Sequence, residues 1–262
     1  MSIESVTSAQ NPKIKELLAL QEKSRLRRER GLFVVEGRRE LAHCVEAGFT
    51  VDTVFVCPEI FDGASMPEGV RVVEVTPELY AKIAYRGGTE GIVAEVRVRQ
   101  RGLQDLVLPA NPLIIVLESV EKPGNLGAVL RSADAAGADA VIVCDPLTDL
   151  FNPNLIRASL GGIFTVPCVA TDSPSAIAWL KQQGVRILTA QLQDSVWYYD
   201  SDMTCGTAIV VGTESTGLTE QWRRAADGHI RIPMLGRLDS LNASVSAAIL
   251  LFEAVRQRQA RR

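Results

Sequence analysis

Apolar and polar positions along the chain fall into two successive series, each switching between short β-branched runs and helical spacing. In the first series Asn11 followed by Pro12 marks a helix start, with Asn as cap and Pro in the first turn. "LFVVEG" is a short apolar strand ending at Gly37, and "RRELAHCVEAG" is a helix that stops at Gly48. "VDTVFVC", "VRVVEV" and "GIVAEVRV" are β-branched strands, with "TPELYAKIA" a capped helix between the last two. The order helix, strand, helix, strand, strand, helix, strand predicts a small α/β layered domain over residues 1–102. "RGLQDLVLPANP" reads as a linker, 103–111, with Pro109 and Pro112 flanking the entry into a new strand.

From Pro112 the alternation restarts and predicts a second α/β domain over 112–262. "LIIVLESV" is a strand, "NLGAVLRSADAAG" a helix ending at Gly137 and "DAVIVC" a strand. "NPNLIRASLGG" reads as a helix, "FTVPCV" as a strand, "SPSAIAWLKQQG" as a helix and "VRILTAQ" as a strand. "GTAIVVG", the helix "LTEQWRRAAD" and "HIRIPM" follow, and then a last helix whose apolar face is read as Val245, Ala248, Ile249, Phe252 and Val255. Continuous apolar strands alternating with amphipathic helices predict a mostly parallel sheet covered on both faces. In such sheets ligands bind beyond the carboxyl ends of the strands. The loops that matter therefore follow "LIIVLESV", "VRILTAQ", "TAIVVG" and "IRIPM".

Composition narrows the classes. At 262 residues and 47% hydrophobic, the chain is long enough for two domains with real cores. No run approaches the roughly 18 apolar residues of a membrane span, and "MSIESVTSAQNPK" lacks a signal peptide's apolar core. Five scattered cysteines without a Cys-x-x-Cys pair predict a reduced, cytoplasmic protein with no metal site. His43 beside Cys44 reads as a helix-surface pair, since no second ligand cluster accompanies it. Charge is uneven: the first forty residues carry nine Lys/Arg against six Glu, and the remainder 19 against 25, for a net of −3. "KSRLRRERG" concentrates the basic excess, making Arg28 within it, and Arg38 beyond it, candidates to meet phosphate. The alternative for this stretch is a solvated helix face with interspersed glutamates.

The loops at the strand ends carry unusual polar residues. After the first comes "EKPGNLGAVLRSA", with Asn125 and Arg131 six residues apart and Gly124 and Gly127 permitting close backbone approach. This is neither a dinucleotide fingerprint nor a P-loop. After "TAIVVG" comes "TESTGL", which places Glu214 just beyond a buried strand; after "IRIPM" comes "LGRLDSLNASV", with Ser240 and Asn242. Singly, each has an ordinary reading: Asn125, Ser240 and Asn242 as helix caps, Glu214 and Arg131 as an ion pair.

Together, "ESVEKPGNLGAVLRSADAAGADAVIV", "IVVGTESTGL" and "IPMLGRLDSLNASVSAAILLFE" resemble, in order and spacing, the three motifs of the SpoU (TrmH-type) RNA 2′-O-ribose methyltransferases. "RASLGGIFTVP" is similar to a fourth stretch common in the family, and "FVVEGRREL" and "TEGIVAEV" resemble its ribosomal-protein-like N-terminal RNA-binding module. The resemblance implies a parallel α/β domain with a deep trefoil knot, preceded by a smaller α/β RNA-binding domain. It implies a homodimer that uses S-adenosyl-L-methionine to methylate a ribose 2′-hydroxyl, of ribosomal RNA by virtue of the N-terminal module. The knot loops would bind the cofactor through Ala190, Leu192, Gly212, Ile232, Leu241 and Ser246. Arg131 would stabilise the reacting oxygen, with phosphate or Glu214 as proton sink; Asn125 would orient substrate or Arg131, and Glu214 would hold either. Ser240 and Asn242 would fix the loop and contact the methionine end or the ribose. Arg157 is a candidate phosphate ligand, from the same or the partner subunit, with a helix-surface arginine as the other reading. The chain departs from the usual motif at Ser215 and Thr216, which stand between Glu214 and Gly217, and this implies altered loop stiffness. Three other readings stay open: a catalytically silent RNA-binding or ribosome-assembly protein of this fold, a transfer-RNA 2′-O-methyltransferase, and an α/β enzyme for small molecules unrelated to RNA.

Overall fold

The computed structural model describes residues 3–63, 69–85, 90–213, 216–237 and 240–260. The chain divides into two compact units: Met1–Gln100 with Phe151–Thr165, and Arg101–Leu150 with Val166–Arg262.

The first unit runs β1 (Ile3–Val6), α1 (Pro12–Glu22), α2 (Ser24–Arg30), β2 (Leu32–Glu36), α3 (Arg38–Glu46), β3 (Val51–Val56), β4 (Arg71–Val75), α4 (Pro77–Ile83) and β5 (Ile92–Arg97). Its five-stranded sheet has the order β1-β4-β3-β5-β2, parallel through β1, β4 and β3 and antiparallel through β5 and β2. Asn11 caps α1 by accepting from the Lys13 amide at 2.9 Å, and Thr76 caps α4 from the Leu79 amide at 3.3 Å. Ile14, Leu17 and Leu20 of α1 and Tyr80 and Ile83 of α4 bury against Val34, Phe55, Val73 and Val93 of the sheet. The basic cluster, read only as charge in the sequence, forms a helix of its own, α2. Its Arg27 is buried and donates to the Leu20 carbonyl at 2.6 Å and the Gln21 carbonyl at 3.2 Å, closing the end of α1.

The second unit opens with β6 (Leu113–Glu118), α5 (Pro123–Ala135) and β7 (Ala140–Cys144). The chain then supplies α6 (Pro153–Ala158) and α7 (Gly162–Thr165) to the first unit. It returns as β8 (Cys168–Thr171), α8 (Ser173–Gln182), β9 (Arg186–Ala190), β10 (Val196–Trp197), β11 (Thr207–Val211), α9 (Glu220–Ala225), β12 (Gly228–Arg231) and α10 (Ala243–Gln259). All seven strands are parallel, in the order β10-β12-β9-β11-β6-β7-β8. One face, with Ile114, Val116, Ala208 and Val210, is covered by Ala176 and Leu180 of α8 and Trp222 of α9. Because side chains alternate along a strand, Ile115, Leu117 and Ile209 serve the other face, where α10 crosses β11 and β6 and packs on α5. Arg258, near the end of α10, donates to the carbonyls of Met203, Asn111, Pro112 and Cys205 at 2.7–3.0 Å, fixing that helix to the strand entrances.

Further details differ from the sequence reading. The stretch read as a linker lies on the second unit's core through Leu103, Leu106 and Leu108. Residues 151–165, read with the second domain, pack in the first unit: Phe151 stacks on Phe33 at 4.4 Å between ring centroids, and Phe164 meets Phe49 edge-on at 5.4 Å. "FTVPCV" is not one strand. Phe164 and Thr165 belong to the short helix α7, and Pro167, which forces its predecessor out of the α region, separates that helix from β8. Finally, α10 buries Ala247, Leu250, Leu251 and Ala254, while Val245 and Phe252 of the expected core face are 46% and 48% exposed. Both stripes of this helix are apolar, so spacing alone does not choose between them.

Candidate active site

The chain lays β6, β7 and β8 out on one side, then returns to place β11 and β9 on the other side of β6. The carboxyl ends of β6 and β11 therefore border the switch point at which open α/β sheets bind ligands. A cavity of about 400 Å³ lies on the β11 side of it, within the size range of small-molecule sites. The loops after β9, β11 and β12 and the first turns of α10 line it, and all six residues expected to bind the cofactor are present: Ala190, Leu192, Gly212, Ile232, Leu241 and Ser246. Ser240 lines it as well. Leu192 is 51% exposed, an apolar side chain left at the cavity without a protein cover.

Gly212 has no room for any other residue. A Cβ there would lie 2.4 Å from the Gly217 carbonyl carbon and oxygen. The loop is drawn in by an isolated bridge between Thr213 and Gly217, whose φ of +66° suits glycine. Thr216 makes two of the bonds that hold this turn: its amide donates to Thr213 Oγ1 at 3.1 Å, and the two hydroxyls are 2.8 Å apart. The departure from the usual motif thus brings a hydroxyl into the turn. Glu214 and Ser215 lie outside the described residues.

A second cavity of about 130 Å³ adjoins the first, sharing Gly212, Thr213 and Ala243, and is otherwise lined by Val120, Glu121, Lys122 and Asn125. Asn125 sits in the first turn of α5 and is not its cap, a position held by Lys122. Asn242 is a cap: its Oδ1 accepts from the Ser244 amide at 2.9 Å, and its Nδ2 donates to Asn125 Oδ1 at 3.2 Å. One amide side chain thus joins the start of α10 to the start of α5, across 117 residues of sequence. Arg131 lies about 9 Å further along the α5 axis than Asn125. It is exposed, and its side chain makes no hydrogen bond or ion pair among the described residues. Sequence reasoning missed Glu121, Lys122 and Thr213; their signal was position alone, at the carboxyl ends of β6 and β11.

The candidate RNA contacts all lie in the first unit. Arg28 is exposed, without an ion pair among the described residues, whereas its neighbours Arg25 and Arg30 pair with Glu29 and Glu16. Arg38 pairs with Asp62 and lies over the Phe61 ring. Arg157 lies 4.1 Å over the Tyr85 ring and donates to Asn154 at 3.2 Å. Among the described residues no group of three or more His, Cys, Asp or Glu could hold a metal ion, and no helix is long and apolar enough to cross a membrane. Burial pushes the Cys44 and Cys144 thiols up to about 12, which leaves them poor nucleophiles.

Fold and site together define an α/β class that holds a ligand of cofactor size at the carboxyl ends of a parallel sheet, beside a smaller cavity bordered by Asn125. Comparison with known proteins narrows it. The SpoU rRNA Methylase family profile matches residues 112–252, more than half of the chain, and an MRM3-like substrate binding domain profile matches residues 11–94. The chain belongs to the SpoU rRNA Methylase family. It is 36% identical over 198 residues to the 23S rRNA (guanosine-2′-O-)-methyltransferase RlmB of Vibrio vulnificus (strain CMCP6), covering 73% of this chain and 80% of that protein. It is 27% identical over 250 residues to the 23S rRNA (guanosine(2553)-2′-O)-methyltransferase RlmP of Bacillus subtilis (strain 168), covering 95% and 98%. The crystal structure of an AdoMet-bound rRNA methyltransferase from Sinorhizobium meliloti superposes with a TM-score of 0.88 at 30% identity, covering 97% of this chain and 98% of that one.

Proposed function

We propose that this protein transfers a methyl group from S-adenosyl-L-methionine to a ribose 2′-hydroxyl of ribosomal RNA. The observation that carries the reading is the pair of adjoining cavities: one of cofactor size, and a smaller one lined by Asn125, Glu121 and Lys122. Leu192, Ile232 and Leu241 supply apolar walls for an adenine, and Gly212 lets the backbone of its loop close on a ligand. The relatives named above are 23S rRNA 2′-O-methyltransferases, and one solved neighbour carries AdoMet.

When bound, the cofactor supplies a methyl already activated by its sulfonium sulfur. The chain's own residues must align a ribose hydroxyl with that methyl and manage a proton of very high pKa. Asn125, held by Asn242, orients the ribose in the smaller cavity. Arg131 stabilises charge developing on the 2′-oxygen. It does not act as a base, because a guanidinium is not deprotonated in proteins, and the hydroxyl proton passes to RNA phosphate or to Glu214. Ser240 fixes the loop at the larger cavity. Residues 1–102 hold the RNA, with Arg28 the leading phosphate contact and Arg38 a second, and Arg157 adds a contact from segment 151–165. The protein acts as a homodimer, which covers Val245 and Phe252, and it works in the cytoplasm, where ribosomal RNA is found. The end of the chain is threaded as a trefoil knot through the loops that line the larger cavity.

Calorimetric titration with S-adenosyl-L-methionine tests the cofactor assignment. The expected result is one site per chain for the wild type and at least tenfold weaker binding for Gly212→Ala, whose methyl has nowhere to go. Absence of binding to the wild type, or equal binding to both proteins, contradicts it.

A further inference from the structure

Glu118 ends β6 and is 2% exposed, yet among the described residues no Lys, Arg or His pairs with it. A buried carboxylate survives only if donors surround it. Here the Thr219 amide donates at 2.8 Å and the Thr219 hydroxyl at 2.6 Å, with the Gln221 amide group and the Ser173 hydroxyl at 3.4 Å. Ser173 also donates to Asp145 at 2.6 Å and accepts from the Trp222 indole at 2.9 Å, so it is shared among three partners. The two short bonds to Thr219 are the main ties on Glu118.

Thr219 directly follows Gly217 and Leu218, which line the larger cavity. β11 anchors the start of that loop, and Thr219 on Glu118 anchors its end. On the other side, the chain leaves Glu118 through Ser119, a non-glycine residue at φ +53°, and then forms the wall of the smaller cavity with Val120, Glu121 and Lys122. One carboxylate therefore holds the loop of one cavity against the strand that feeds the other. It lines neither cavity.

We infer that Glu118 is a positioning residue for cofactor binding, acting through Thr219 to set the loop of residues 212–218. The inference rests on the larger cavity being the S-adenosyl-L-methionine site. A purely structural role predicts lower stability and unchanged affinity in the folded protein; a positioning role predicts changed affinity. The test compares Glu118→Ala, Glu118→Gln, Thr219→Val and the core control Ile142→Val in the full chain. The readouts are calorimetric affinity for S-adenosyl-L-methionine and amide exchange over 212–219.

Glu118→Ala is expected to bind at least tenfold more weakly and to exchange faster in the loop. Glu118→Gln is expected to recover most of both, because its amide oxygen still accepts from the Thr219 amide and the hydroxyl can turn to accept. The Glu118→Ala and Thr219→Val effects are expected not to add. Should Glu118→Ala fail to fold, weaker binding and faster loop exchange in Thr219→Val carry the same support, and wild-type behaviour there overturns the inference. It is also overturned if Glu118→Ala binds like the wild type, or if Ile142→Val weakens binding as much. A wild type that does not bind the cofactor contradicts the cavity's assignment instead, and loop exchange then decides the role of Glu118 by itself.

Discussion

Arg131 is exposed and unpaired among the described residues, on the helix whose first turn carries Asn125. If it stabilises charge only as the methyl moves, Arg131→Ala should lower kcat by about 10²–10³-fold, the usual loss for one such donor. S-adenosyl-L-methionine affinity, measured by calorimetry, should stay near wild type; equal loss of both would remove the role. A second titratable residue matters for stability. Glu95 on β5 is 8% exposed, and burial, followed by the nearby Glu16 and Asp52 carboxylates and opposed by Arg71 and Arg30, raises it from 4.5 to about 7. Folding thus favours its protonated form. Its contribution is full below about pH 4.5 and is lost as pH rises to about 7, at about 3 kcal/mol in all. Urea midpoints should fall between pH 5 and pH 8 and flatten in Glu95→Gln; a slope unchanged in that variant contradicts the assignment. At this scale the site was only partly legible. The strand-end rule pointed to the loops, and the resemblance named Asn125 and Asn242, but their mutual bond spans 117 residues and needs the fold. Glu118 read as a polar interruption within the strand "LIIVLESV", and no local pattern marks it as held by Thr219.

The elements show where periodicity informs and where it does not. Strands β6, β7 and β11 are continuous apolar runs because both faces are covered, and their sequences announce this. The caps of α1 and α4 were equally plain, since Asn-Pro and Thr-Pro each place an acceptor before a helix's first turn. Helix α10 is the opposite case. With Ala247, Leu250, Leu251 and Ala254 buried and Val245 and Phe252 half-exposed, its apolar surface exceeds one stripe. The face picked from spacing is the one a single chain leaves uncovered. That surplus supports the proposed homodimer and makes it testable. Sedimentation should give a dimer for the wild type and a monomer for Phe252→Asp, whereas a monomeric wild type or a dimeric variant contradicts α10 as the interface. Short elements escaped for another reason: β10 has two residues and α7 four, too few to establish any period.

Across the whole molecule the sequence resolves into two α/β series, and the structure has two compact units, but the chain does not divide cleanly between them. Residues 151–165 leave the second series to place Phe151 and Phe164 among the rings of Phe33 and Phe49. A linear reading assigns a segment to its sequence neighbours, so an excursion held by four scattered phenylalanines is invisible to it. The order of the parallel strands was likewise beyond reach, although the location of the site was not. Alternation predicted a mostly parallel, doubly covered sheet, and the loop that leaves β11 beside the switch point lines both cavities through Gly212 and Thr213.

The most direct test of the central claim is methyl transfer. The purified protein is given S-adenosyl-L-methionine labelled in its methyl group, with total RNA from cells lacking the gene, and the RNA is digested to nucleosides. Label in a 2′-O-methylated nucleoside, confined to the ribosomal RNA fraction, is the predicted result. Label on a base, or none in any RNA while the cofactor still binds, would contradict it.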